Sequence, residues 1–211
     1  MAYSDLRFRD MSVEREIAKF LDAHLYSCDD FSRKDRTEDL ASQMEGSDII
    51  ISIPKLGLLN AVVDEKGQTQ YINNPLPTFS LELSFLTSAN NLVEGWLTDK
   101  SKKTEYYLFQ WIHRADKKWN VKSNEIRKLE YALVSRQKIL DYLNSFGYSV
   151  EKLKEVDASI RKSNINGAHQ KRLDRKFYFY YSMQLAEKPI NVILRKEVLM
   201  ELAVKKGIIE V

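Results

Sequence analysis

Asp48, Asp64 and Lys66 are the residues of this chain whose types and spacing suit chemistry on a phosphate. Asp48 opens the β-branched run IIISI, and Asp64-Glu65-Lys66 closes the run NAVV. In a strand, alternate residues share a face, so Asp64, Lys66 and Gln68 point one way and Glu65 the other. If the two runs pair as neighbouring strands, Asp48 comes near Asp64. Two carboxylates so placed bind a hard divalent cation through oxygen, with the Lys66 ammonium beside it. A bound Mg²⁺ lowers the pKa of water and polarises a phosphoryl oxygen, and an adjacent ammonium stabilises hydroxide or the charge developing on phosphorus. Phosphodiester hydrolysis needs that combination. A second reading stays open at this stage: Asp64-Glu65-Lys66-Gly67, with Asp first and Gly last, also has the composition of a four-residue turn.

The elements that must position these groups are legible in outline. After Ser12, a candidate N-cap, VEREIAKFLDAHLY sets Val13, Ile17, Phe20, Leu21 and Leu25 on one stripe, the pattern of an amphipathic helix. SCDDFSRKDRTEDLASQMEG has no sustained period and reads as a loop with a short helical turn around Glu38 to Met44. IIISI and NAVV read as adjacent strands broken by PKLGLL. Thr78 to Leu86 and Thr104 to Ile112 read as two more, joined by EGWLTDKSKK as a hairpin connection or short extra strand. Leu129 to Val134 reads as a strand, followed from Ser135 by a helix that Gly147 stops. EKLKEVDASIRKS predicts a further helix, NINGAHQKRLDRK a basic loop, and KFYFYYSM and PINVILR strands. KEVLMELAVKKG predicts a closing helix ended by Gly207. A helix, a run of strands, then alternating helices and strands suit an α/β fold with a central mixed β-sheet flanked by α-helices.

Gly46-Ser47-Asp48 followed by IIISI, then NAVV-Asp64-Glu65-Lys66, resembles the signature of the PD-(D/E)XK nuclease superfamily, with Ser47 standing where the pattern has Pro. The resemblance implies a restriction-endonuclease-like core and a metal-dependent DNA endonuclease using Mg²⁺, for which Mn²⁺ substitutes. By resemblance Asp48 and Asp64 are metal ligands, the backbone carbonyl of Glu65 a third, Lys66 the catalytic lysine, and Gln68 an assisting polar group. A helix carboxylate completes such sites. Glu14, within the apolar stripe of the first helix, is preferred, with Glu16 and Glu38 as alternatives. The same resemblance allows a catalytically inactive nucleic-acid-binding or assembly protein with the same fold.

Composition is consistent with this reading. At 211 residues, 44% apolar and 30% charged, the chain suits one well-buried core. The expected organisation is a single nuclease-like domain, core about 10–135, with a C-terminal α/β extension about 136–211. A net charge of +3 permits an anionic partner. Its basic positions Arg161, Lys162, Lys171, Arg172, Arg175 and Lys176 are the candidate DNA contacts, set against the bland reading of a solvated loop. The expected partners are DNA and a second copy in a homodimer, since many members of the superfamily cut two strands as symmetric pairs. The lone Cys28 rules out an intramolecular disulfide, and no signal peptide or membrane-spanning run is visible, so a cytoplasmic location away from membranes is expected. His24, His113 and His169 stand apart and read as packing or surface residues. The aromatic run Phe177 to Tyr181 reads as a buried strand.

Overall fold

The computed structural model describes residues 3–37 and 45–211, with side chains from Met11 onward in the first helix. Two compact units interleave along the chain. One comprises Met1–Leu76, Lys103–Ser135 and Ala203–Val211, and the other Pro77–Lys102 and Arg136–Leu202.

In the first unit, helix α1 (Tyr3–His24) precedes β1 (Arg33–Arg36), β2 (Ile49–Ile53) and β3 (Leu58–Gly67), and β6 (Tyr106–Ala115), β7 (Ile126–Ser135) and β11 (Lys205–Glu210) complete a six-stranded sheet. The order is β1-β2-β3-β6-β7-β11. β3 and β6 run parallel and every other neighbouring pair is antiparallel, so the sheet is mixed. The stripe read from the sequence is what α1 and the residue after it bury: Val13, Ile17, Phe20, Leu21 and Leu25 join Ile49, Ile51, Ile53, Ala61, Val63 and Leu108 in one core. Fully burying each of the larger aliphatic or aromatic side chains contributes about 1.5–3 kcal/mol, which holds α1 against that face of the sheet.

The second unit holds an antiparallel sheet, β5 (Leu92–Glu94), β4 (Thr78–Leu86), β10 (Ile190–Arg195), β9 (Phe177–Tyr181) and β8 (Gly167–His169), in that order. It also holds helices α2 (Arg136–Asn144), α3 (Val150–Ser163) and α4 (Lys196–Leu202). Ser149 caps α3, its hydroxyl accepting from the Lys152 amide. No helix among the described residues is long and apolar enough to cross a membrane.

Four local expectations need correction. α1 begins at Tyr3, so Ser12 lies inside the helix, where it is exposed, and not at its cap. No Pro or Gly precedes it in YSDLRFRDM to stop the helix. β1, the charged RKDR, lies in what reads as a loop: its side chains are largely exposed, and main-chain pairing with β2 creates it without any apolar alternation. The closing helix ends at Leu202, and Lys205–Glu210 is a strand with Gly207 at its centre. A Cβ at Gly207 would meet the Tyr131 ring at 3.0–3.2 Å, so this glycine permits a close strand-to-ring approach and does not end a helix. Finally, Asp64 to Gly67 is not a turn, because β3 continues through Gly67 and pairs residue by residue with β6. The helical turn expected around Glu38 to Met44 lies outside the described residues.

One buried polar cluster in the second unit yields a pH prediction. The Ser84 hydroxyl donates to Asp157 Oδ1 at 2.6 Å, and Arg161 Nη2 donates to Ser84 Oγ at 2.5 Å. Burial raises the Asp157 pKa, against the lowering effects of Ser84 and Arg161. A folded-state value above the unfolded one favours folding while the acid is protonated, and that contribution is lost as pH rises through the raised value. Asp157→Asn keeps an oxygen for Ser84 and cannot ionise. Urea melts are expected to show wild-type stability declining from the ordinary Asp range upward more steeply than that of Asp157→Asn.

Candidate active site

The β2–β3 ladder aligns Ile49 with Val63 and Ile50 with Val62, which brings Asp48, just before β2, alongside Val63 to Glu65. The Asp48 amide donates to the Val63 carbonyl at 2.9 Å, and Asp48 Oδ2 accepts the Glu65 amide at 2.7 Å. Lys66 Nζ lies 2.7 Å from Asp64 Oδ1, as strand alternation requires of residues two apart. In the parallel register with β6, Asp64 neighbours Tyr107 and Lys66 neighbours Phe109, both fully buried. The Asp64 side chain is only 6% exposed and that of Lys66 27%.

The charges act on one another. Burial, and then the Asp64 carboxylate, push the Asp48 pKa up to about 7, against the opposing pull of Lys66 and the Glu65 amide. Burial alone would lower the Lys66 pKa, but Asp64, Asp48 and Glu14 together hold it above its ordinary value. Asp48, Asp64 and Lys66 therefore form one electrostatic cluster, with the Glu14 carboxylate contributing to it.

Asp48 is held from both sides. Gly46 takes a left-handed φ of 81° that favours glycine, and its carbonyl accepts the buried Thr104 hydroxyl at 2.7 Å. The hydroxyls of the buried Ser47 and of Thr37 lie 3.3 Å apart, and the Thr37 amide donates to the Asp48 carbonyl at 2.9 Å. Ser47 thus fills a polar role at the position before the aspartate. Sequence reasoning missed Thr37 and Thr104, since neither carries a spacing that links it to Asp48.

The Glu65 side chain points to the α1 face, as alternation predicts. It accepts the Tyr26 hydroxyl at 2.8 Å and Arg36 Nη1 at 2.9 Å, while Arg36 Nη2 reaches Asp22 at 2.7 Å. Burial and the Glu65 carboxylate raise the Tyr26 pKa, while Asp22 and Glu65 hold that of Arg36 up despite its burial. Only the Glu65 main-chain carbonyl remains for a metal. Glu65→Ala, which leaves Arg36 and Tyr26 without this acceptor, is expected to lower unfolding stability by about 3 kcal/mol, and an Arg36/Glu65 double-mutant cycle to give a coupling of about 1–3 kcal/mol.

Gln68 is committed elsewhere: its Oε1 accepts the Leu76 amide at 2.8 Å and its carbonyl the Tyr71 amide at 3.1 Å, so it organises the loop after β3. Of the helix carboxylates, Glu14 acts on Lys66, whereas Glu16 accepts the Ser123 amide at 3.0 Å and Lys19 at 2.8 Å. Glu38 lies outside the described residues. Among the described residues no group of three or more His, Cys, Asp or Glu side chains is set to hold a metal ion.

The basic positions all lie in the second unit, and most have partners. Arg161 belongs to the Ser84 cluster and lies over the Tyr181 ring. Lys171 lies over Tyr178, Arg172 is paired with Asp174, and Lys176 with Glu197 and Glu201. Arg175 stacks on Tyr148 and Phe177 while donating to the Tyr148 hydroxyl. Lys162 is exposed on α3. Comparison with protein-family models, curated sequences and solved structures finds no match to this chain.

Proposed function

We propose that the chain is a metal-dependent DNA endonuclease of the PD-(D/E)XK kind, built on a restriction-endonuclease-like core. The observation that carries the reading is the meeting of Asp48, Asp64 and Lys66 around the Glu65 amide, at the junction of β2 and β3. A leading helix, an acidic residue before one strand and Asp-x-Lys at the end of the next are also the order that the resemblance requires.

The residues fit a divalent cation. Burial and the neighbouring Asp64 carboxylate raise the proton affinity of Asp48, a positive charge between the two aspartates relieves it, and carboxylate and carbonyl oxygens suit Mg²⁺ or Mn²⁺. Asp48, Asp64 and the Glu65 carbonyl would hold it. Bound there, the ion supplies an acidified water and a polarised phosphoryl oxygen. Lys66, kept cationic by its carboxylate neighbours, offers its ammonium to the negative charge that grows on the attacked phosphate. Asp64 orients that ammonium through the 2.7 Å contact, and the Glu65 amide fixes the Asp48 carboxylate. Affinity for DNA would come from Lys and Arg contacts with phosphates, for which Lys162, Lys171, Arg172 and Lys176 are exposed candidates. A DNA substrate accords with a cytoplasmic location.

Incubation with supercoiled plasmid and with synthetic branched duplexes, in Mg²⁺ or Mn²⁺, tests the proposal. Metal-dependent nicking or cleavage that EDTA abolishes is expected. Folded protein that leaves every one of these substrates intact in both metals would overturn it.

A further inference from the structure

β11 is an outer strand of the first unit's sheet, and among the described residues no strand pairs with its second edge. The register with β7 runs from Lys205 opposite Leu133 to Glu210 opposite Lys128, and the Val211 amide continues it by donating to the Arg127 carbonyl at 3.0 Å. In an antiparallel ladder the hydrogen-bonding direction alternates, so Lys205, Gly207, Ile209 and Val211 turn their main-chain groups toward β7. Lys206, Ile208 and Glu210 turn theirs outward. The side chains of these three also share one face and are exposed, Ile208 by 57%.

We infer that this edge pairs with the same edge of a second copy of the chain, antiparallel, about a two-fold axis through Ile208. Outward-facing residues must meet outward-facing residues, which limits the available registers. The register centred on Ile208 overlaps the whole of Lys205 to Val211, sets Ile208 against Ile208, and sets Lys206 against Glu210 of the second copy, twice. A lysine on a strand edge ordinarily repels other strands. Here the spacing Lys-x-Ile-x-Glu turns that repulsion into two complementary pairs flanking an apolar contact. Glu210 already lies 3.2 Å from Lys128 Nζ and 3.5 Å from Arg114, so a second-copy lysine would join an existing charge network. The contact is isologous and uses up the edge, so it closes at a dimer. The opposite sheet edge, β1, carries only charged residues, with Arg33 paired to Asp35.

Sedimentation velocity over a wide concentration range tests this, independently of any nuclease activity. The wild type is expected to show a concentration-dependent dimer. Lys206→Glu alone and Glu210→Lys alone each place like charges opposite one another and should weaken it at least about tenfold. An equimolar mixture of the two variants restores opposite charges in both pairs and should restore the dimer. Ile208→Pro removes an outward N–H without touching the β7 ladder, so it should give a monomer that melts near the wild-type urea midpoint. A wild type that stays monomeric throughout, a Lys206→Glu or Ile208→Pro variant that dimerises like wild type, or a mixture that stays monomeric would overturn the inference.

Discussion

Asp64→Asn and Lys66→Ala are each expected to slow metal-dependent DNA cleavage by about 10²–10³-fold or more. Asparagine keeps the shape of Asp64 and one of its oxygens but removes the charge that orients the Lys66 ammonium and faces the Asp48 carboxylate. Lys66→Ala leaves both carboxylates in place and removes the cation they hold. The two variants should therefore separate in metal affinity while agreeing in activity: Asp64→Asn binds Mn²⁺ more weakly, whereas Lys66→Ala, relieved of a competing positive charge, binds it at least as well. Glu16→Gln, on the same helix as Glu14 but engaged with Ser123 and Lys19, should cleave at the wild-type rate. Single-turnover rates beside Mn²⁺ titrations check all three. Loss of activity in Glu16→Gln equal to that in Lys66→Ala would place the chemistry elsewhere.

The second large effect is on stability. The Asp48 carboxyl, pushed up to about 7 by burial and by Asp64, has a higher pKa folded than unfolded. Such a group supports folding while protonated, and the support is lost as pH rises from the ordinary Asp range through about 7. Metal-free protein should thus lose up to about 4 kcal/mol between the ordinary Asp range, pH about 4, and mildly alkaline pH from the Asp48 carboxyl alone. A divalent cation reverses the loss where the Asp48 carboxyl is ionised, and a concentration of about 100 times Kd contributes about 2.7 kcal/mol. Thermal melts with and without Mg²⁺ or Mn²⁺ should separate widely at pH about 8 and hardly at pH about 5, with the separation abolished in Asp48→Asn. Equal metal stabilisation at both pH values would contradict the shared site.

Much of the fold was legible because it rests on apolar periodicity. The α1 stripe, the β2 run and the alternation of β4 appear in the structure where Val13 to Leu25, IIISI and Thr78 to Leu86 put them. β1 was hidden because its strand character comes from pairing to β2 and not from its own side chains. β11 was hidden because KKG reads as a helix end, when Gly207 in fact makes room for Tyr131. The interleaving of the two units, with the chain passing between them after Leu76, Lys102, Ser135 and Leu202, leaves no compositional mark at those points.

The candidate site followed the same division. Alternation alone separated Asp64 and Lys66 from Glu65, and the structure gives Glu65 a different set of partners. The attachment of Asp48 to the Glu65 amide was within reach of the strand-pairing argument. The roles of Thr104 and Thr37 were not, because they depend on backbone contacts between segments remote in sequence. Gln68 shares the face of Asp64 and Lys66 by parity, yet its carboxamide oxygen serves the loop after β3, a preference visible only once Leu76 is in place.

Mn²⁺ binding measured by electron paramagnetic resonance, on wild type and on the Asp48→Asn/Asp64→Asn double variant, tests most directly whether two aspartates and a main-chain carbonyl form one cation site. One saturable site per chain in the wild type, lost in a double variant with unchanged circular dichroism, is the expected result. Binding of equal stoichiometry and affinity in both proteins would contradict it.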